Sequence, residues 1–161
     1  YGIDNDILEN VLAQILIKKK YSIATAESCT GGLISKRLTD TPGSSTYFFG
    51  GITAYSNDIK INLLNISKDS LKKHGAVSEE IAIEMAESIR KKMHADIGIS
   101  TTGISGPDGG SKHKPVGLVY IGIAMPNTSI VKKYIFSVNR SMHREIVTTA
   151  ALNTTRILLE K

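Results

Sequence analysis

The chain has 161 residues, 41% hydrophobic and 22% charged, the proportions of a soluble globular protein able to bury one core. Its net charge of +5 is scattered over short basic clusters, and aromatics make up only 6% with no Trp, which argues against a nucleic-acid face of cations and stacking rings. No apolar run reaches bilayer-spanning length, the acidic opening YGIDNDILEN is unlike a signal peptide, and Cys29 has no disulfide partner, so a cytoplasmic location is expected.

Ile7, Leu8, Val11, Leu12, Ile15 and Leu16 recur at helical spacing and predict a helix over 4–20, capped by Asp4, Asn5 and Asp6. YSIATA (21–26) is short and β-prone, and TGGLISKRLTD (30–40) reads as the helix that follows. FFGGITAYS (48–56) predicts a strand, and 57–74 predicts two short helices with Ile59, Leu63 and Leu64 as an apolar stripe. Ser78 caps a further helix with Glu79 and Glu80 in its first turn and Ile81, Met85 and Ile89 on one face. ADIGIST (95–101) is a strand followed by the Gly-rich loop TGISGPDGGSKHKPVG. LVYIGIAM (118–125) and SIVKKYIFSV (129–138), divided by Pro126, Asn127 and Thr128, predict a hairpin. A last helix spans about 141–159. Early alternation of strands and helices with a late hairpin gives an α/β class: a single layered α/β/α domain over 1–161 with a mixed sheet.

Ligands of open α/β sheets bind beyond the carboxyl ends of strands, so three segments matter: Glu27–Gly32, the stretch after Tyr55, and 101–117. A helix opening on Thr30, Gly31 and Gly32 offers backbone N–H groups and a positive dipole end to an anion. A tight strand-to-helix turn would need the same glycines. Neither Gly-rich loop matches a Walker A or dinucleotide fingerprint. His74, His94, His113 and His143 lack ligand-pair spacing, so neither metal nor cofactor is expected. Cys29 has no nominated base and reads as a buried, inert thiol. Ser44, Ser45, Tyr55 and Lys60 lie close together in sequence, and a lysine whose pKa is lowered by burial can serve as general base.

AESCTGGLISKRLTDTPGSS, GGITAYSNDIKINLL, HGAVSEEIAIEMA and TTGISGPDGGSKHKPVGLVYIGIA resemble, in order and spacing, the C-terminal domain of the CinA competence/damage-inducible family. That family includes stand-alone nicotinamide mononucleotide deamidases; its larger members add an N-terminal nucleotide-pyrophosphatase domain. The resemblance implies a metal-free Ser-Lys amidohydrolase that converts nicotinamide mononucleotide to nicotinic acid mononucleotide and ammonia. It further implies Ser45 as nucleophile, Lys60 as base, Tyr55 as proton relay or positioning group, and Ser28 as the competing serine. Thr30, Gly31, Thr102, Gly103, Gly106 and Arg140 match substrate contacts, with Arg140 and the 30–32 helix start gripping the phosphate and Arg144 available to share that role. A homo-oligomer is expected, and no membrane partner. Two departures stand out: Gly103-Ile104-Ser105-Gly106-Pro107 has Ser where the family usually has Ala, and Val138-Asn139-Arg140 replaces Gly-Asp-Arg. A catalytically lapsed nucleotide- or partner-binding module and a phosphoryl-handling protein are the rival readings.

Overall fold

The computed structural model describes residues 7–160. Five strands, β1 (Ile23–Glu27), β2 (Phe48–Thr53), β3 (Ile97–Gly103), β4 (Leu118–Met125) and β5 (Thr128–Ile135), form one sheet in the order β2-β1-β3-β4-β5. β1 runs parallel to β2 and β3, whereas β4 runs antiparallel to both β3 and β5, which is the expected mixed sheet with a late hairpin. Helices α1 (Leu8–Lys19), α2 (Leu33–Thr39) and α6 (Arg140–Glu160) pack on one face; α3 (Asn57–Leu64), α4 (Lys68–His74) and α5 (Glu79–Lys92) pack on the other.

Local chemistry sets the boundaries. Ser56, Ser67 and Ser78 each stand before a helix and accept a bond from the third backbone N–H beyond, at 3.2, 3.2 and 3.3 Å. The expected caps of α1, Asp4 to Asp6, lie outside the described residues. A short 3₁₀ turn, Ser44–Thr46, precedes β2 and went unpredicted; Gly43 opens it with φ +83.

The two faces of the sheet differ in side-chain size. Ile23, Ile97, Ile99, Val119, Ile121 and Ile123 point to the α1/α2/α6 side, where they meet Leu12, Leu16, Val147 and Leu152. Each such side chain contributes about 1.5–3 kcal/mol on burial. The alternate positions are Ala24, Ala26, Gly98, Ser100, Gly122 and Ala124. These small residues let the α5 backbone lie directly on the strands: a Cβ on Gly98 or Gly122 would collide with the carbonyls of Ala86 or Ala82.

From β1 the chain reaches β2 through α2 on one face, then crosses to β3 through α3, α4 and α5 on the other. The connections therefore diverge between β1 and β3, and a crevice opens at the carboxyl ends of these strands.

Candidate active site

The parallel register aligns Glu27 of β1 with Thr53 of β2 and Thr101 of β3. One step further, the Ser28 N–H donates to Thr101 O at 2.9 Å and the Ala54 N–H to Glu27 O at 2.8 Å. Ser28 and Ala54 thus emerge side by side at the carboxyl ends of β1 and β2. The Ser56 cap starts α3 immediately after, and Lys60 lies on the buried side of that helix, one turn before Leu64. Its side chain turns back beneath the strand ends, where Nζ lies 2.7 Å from Ala54 O and 3.1 Å from Ser28 Oγ. Lys60 is only 2% exposed, and burial pushes its amine below the usual lysine range.

Ser28 and Lys60 line a cleft of about 240 Å³, together with Cys29, Tyr55, Asn57, Thr102, Gly103, Ser105 and Arg140. Arg140, the first residue of α6, donates Nη1 to Gly106 O at 2.9 Å and Nη2 to the Tyr55 hydroxyl oxygen at 2.6 Å. Asn139 caps α6 by accepting the Met142 N–H at 2.9 Å, so the helix start that carries Arg140 is held by the residue at the point of departure. The Thr102 hydroxyl donates to Ala76 O at 2.6 Å. Burial drives the Cys29 thiol up to about 12, so it remains protonated at physiological pH.

Three expectations need correction. Ser45 sits in the 3₁₀ turn at the amino end of β2, exposed to solvent. The six residues of β2 separate it from the Lys60 side of the sheet, roughly 20 Å of extended chain. The structure therefore does not bring Ser45 to Lys60.

The helix start at 30–32 is also not an open anion cradle, because a carboxylate of the chain itself occupies it. Glu27, 1% exposed, accepts from the N–H groups of Gly32, Ile34 and Ser35 and from the hydroxyls of Thr30 and Ser35, all at 2.7–3.0 Å. Thr30 is wholly buried, its hydroxyl 2.8 Å from that of Thr101, and Gly31 stands outside the cleft. Gly106 lies behind the cleft wall and fixes Arg140 through its carbonyl.

Arg144, third, is committed to the fold. Its Nε and Nη2 donate to Thr30 O at 3.2 and 2.9 Å, tying α6 to the turn after β1.

The sequence did not disclose the roles of two residues: Glu27, the acidic end of an otherwise apolar strand, and His143, an isolated imidazole on the buried stripe it shares with Val147 and Ala151. Among the described residues no group of three His, Cys, Asp or Glu side chains could hold a metal ion. Nor is any helix of the described chain long and apolar enough to cross a membrane.

Comparison with known proteins extends this picture. The chain is 49% identical over 160 residues to a competence-damage inducible protein of Clostridium botulinum (strain 657), with 99% of this chain and 39% of that protein covered. It is 52% identical over 153 residues to the counterpart of Clostridium tetani, covering 95% and 37%. The chain thus spans less than two fifths of the curated relatives it matches. Among solved structures, the competence damage-inducible protein A of Klebsiella pneumoniae superposes with a TM-score of 0.92 at 29% identity, 95% of each chain being covered. The competence/damage inducible protein CihA of Agrobacterium tumefaciens gives 0.89 at 32% identity over the full length of both chains. With residues 5–159 matching the CinA C-terminal domain, on the same sheet and helices as these proteins, the chain belongs to the CinA C-terminal domain family.

Proposed function

We propose that this domain is a metal-free serine amidohydrolase that deamidates nicotinamide mononucleotide, with Ser28 as nucleophile and Lys60 as base. The observation that carries the reading is the Lys60 amine, buried and depressed in pKa, 3.1 Å from a serine hydroxyl at the floor of a cleft. This departs from the sequence expectation of Ser45, which has no path to Lys60.

The steps follow from donor counting. A neutral amine carries two hydrogens and one lone pair. One hydrogen goes to Ala54 O, and rotation about that bond can present the lone pair to the Ser28 hydroxyl hydrogen. As Ser28 Oγ attacks the carboxamide carbon, its proton passes to Lys60. Of the Gly103–Gly106 loop only Gly103 and Ser105 line the cleft, and a backbone N–H from that pair meets the oxyanion, a well-aimed donor lowering the barrier by about 3 kcal/mol. The ammonium then gives its proton to the departing nitrogen, and ammonia leaves an acyl ester on Ser28. Water attacks that ester, yielding its proton to Lys60, which returns it to Ser28 Oγ as the carboxylic acid departs. Arg140, at the α6 start with Tyr55 beside it, binds the phosphate in place of the 30–32 turn.

The deciding assay is enzyme-coupled ammonia release from nicotinamide mononucleotide, followed by mass spectrometry of acid-quenched protein. Ammonia with an acyl adduct on the Ser28 peptide supports the reading. Nucleotide binding without ammonia would instead leave a binding module.

A further inference from the structure

Ser105 and His143 take no part in the Ser28–Lys60 exchange, yet Ser105 lines the same cleft. His143 is wholly buried on the first turn of α6, packed edge-on against the Phe136 ring. Its Nε2 lies 3.0 Å from Gly117 O and its Nδ1 lies 2.9 Å from Ser105 Oγ. A carbonyl oxygen can only accept, so Nε2 carries a hydrogen. Burial pushes the ring below the ordinary histidine range; the Gly117 carbonyl opposes this and the nearby Arg140 charge adds to it. The ring is therefore neutral near pH 7, and Nδ1 is a bare lone pair. Ser105 must donate its hydroxyl hydrogen to that lone pair.

A serine has one hydroxyl hydrogen, and here the imidazole takes it. What Ser105 can offer the cleft is oxygen lone pairs alone. The Thr102 hydroxyl, three residues earlier on the same wall, has likewise given its hydrogen away, to Ala76 O. These two hydroxyls accept, whereas the Arg140 guanidinium that also lines the cleft donates.

We infer that Ser105, locked by His143, is a specificity-determining acceptor that selects a carboxamide over the corresponding carboxylate. The inference rests on the amidohydrolase reading. A carboxamide nitrogen brings two N–H donors to an acceptor wall. The carboxylate left after hydrolysis brings none, so its oxygen would face Ser105 lone pair against lone pair. The same oxygen would thus hold the substrate and help expel the acid.

The test is calorimetric binding to Ser28→Ala protein, which cannot form the ester. Dissociation constants are measured for nicotinamide mononucleotide and nicotinic acid mononucleotide at pH 7.5, with Ser105 intact, Ser105→Ala and Ser105→Cys. The cysteine fills the serine's space with a poor acceptor, so it guards against loss of packing; thermal melts verify folding. The expected result is a preference for the amide that falls about tenfold in both variants, equivalent to about 1.4 kcal/mol. An unchanged ratio overturns the inference alone, including the case where Ser105 meets the ribose and both ligands weaken equally. Binding of neither nucleotide, together with no ammonia from the unmodified protein, overturns the amidohydrolase reading and this inference with it.

Discussion

Lys60 and Ser28 meet at 3.1 Å although 32 residues separate them, because the parallel β1–β2 register delivers both to one end of the sheet. Lys60→Arg should therefore lose nearly all kcat, since a guanidinium stays protonated and cannot take the serine proton. Retention of more than about a tenth of the rate, a barrier change below about 1.4 kcal/mol, would exclude Lys60 as base.

The buried amine also fixes a sign for stability against pH. Its folded pKa lies below the unfolded value of 10.5, so the unfolded chain binds more protons between the two. Within that window the native protein should gain stability relative to Lys60→Met as pH rises, and fall behind it again on acidification. Urea midpoints of both proteins at pH 7 and pH 10 give the comparison; parallel curves would contradict the depressed pKa.

The two serines should separate cleanly. Ser28→Ala should abolish ammonia release while leaving nucleotide affinity within a few-fold. Ser45→Ala, exposed at the far end of β2, should keep kcat and KM near those of the unmodified protein. A dead Ser45→Ala with normal folding would reverse the assignment.

Cys29 neighbours Ser28 in the cleft but holds its proton, with the thiol pushed up to about 12 by burial. Iodoacetamide at pH 8 should leave the native protein unlabelled and fully active, while urea-unfolded protein reacts at its one cysteine. Rapid labelling with loss of activity would mean an accessible thiolate.

Glu27 is a different kind of residue, structural although it adjoins Ser28. Glu27→Gln turns a carboxylate oxygen into an amide that faces N–H donors, and should cost roughly 1–3 kcal/mol in urea unfolding. No change in midpoint would show that the five bonds to Glu27 do not hold the start of α2.

Much of the fold is readable in the chain because its signals are local. The Leu118–Met125 strand coincides with its apolar run, and Ser56 and Ser78 mark helix starts by side chains that reach only three residues ahead. The site was less legible because its contacts are not local. Ser45 lies nearer to Lys60 in sequence, but an intervening strand carries the chain away at about 3.3 Å per residue. Reading β1 and β2 as parallel neighbours would have placed Ser28 beside Ala54, and hence beside Lys60. Glu27 closes off the Gly-Gly helix start that otherwise resembles a vacant anion site, and the clue was a single acid ending an apolar strand.

One helical turn carries three separate duties: Arg140 reaches into the cleft, His143 fixes Ser105, and Arg144 holds the Thr30 carbonyl. All three are supplied by α6, the last of the described elements to be synthesised. Ser28 and Lys60, both earlier in the chain, therefore depend on α6 for the Arg140 guanidinium, the bond that holds Ser105 and the clamp on the turn after β1. On the proposed reading, the cleft is complete only where α6 is docked.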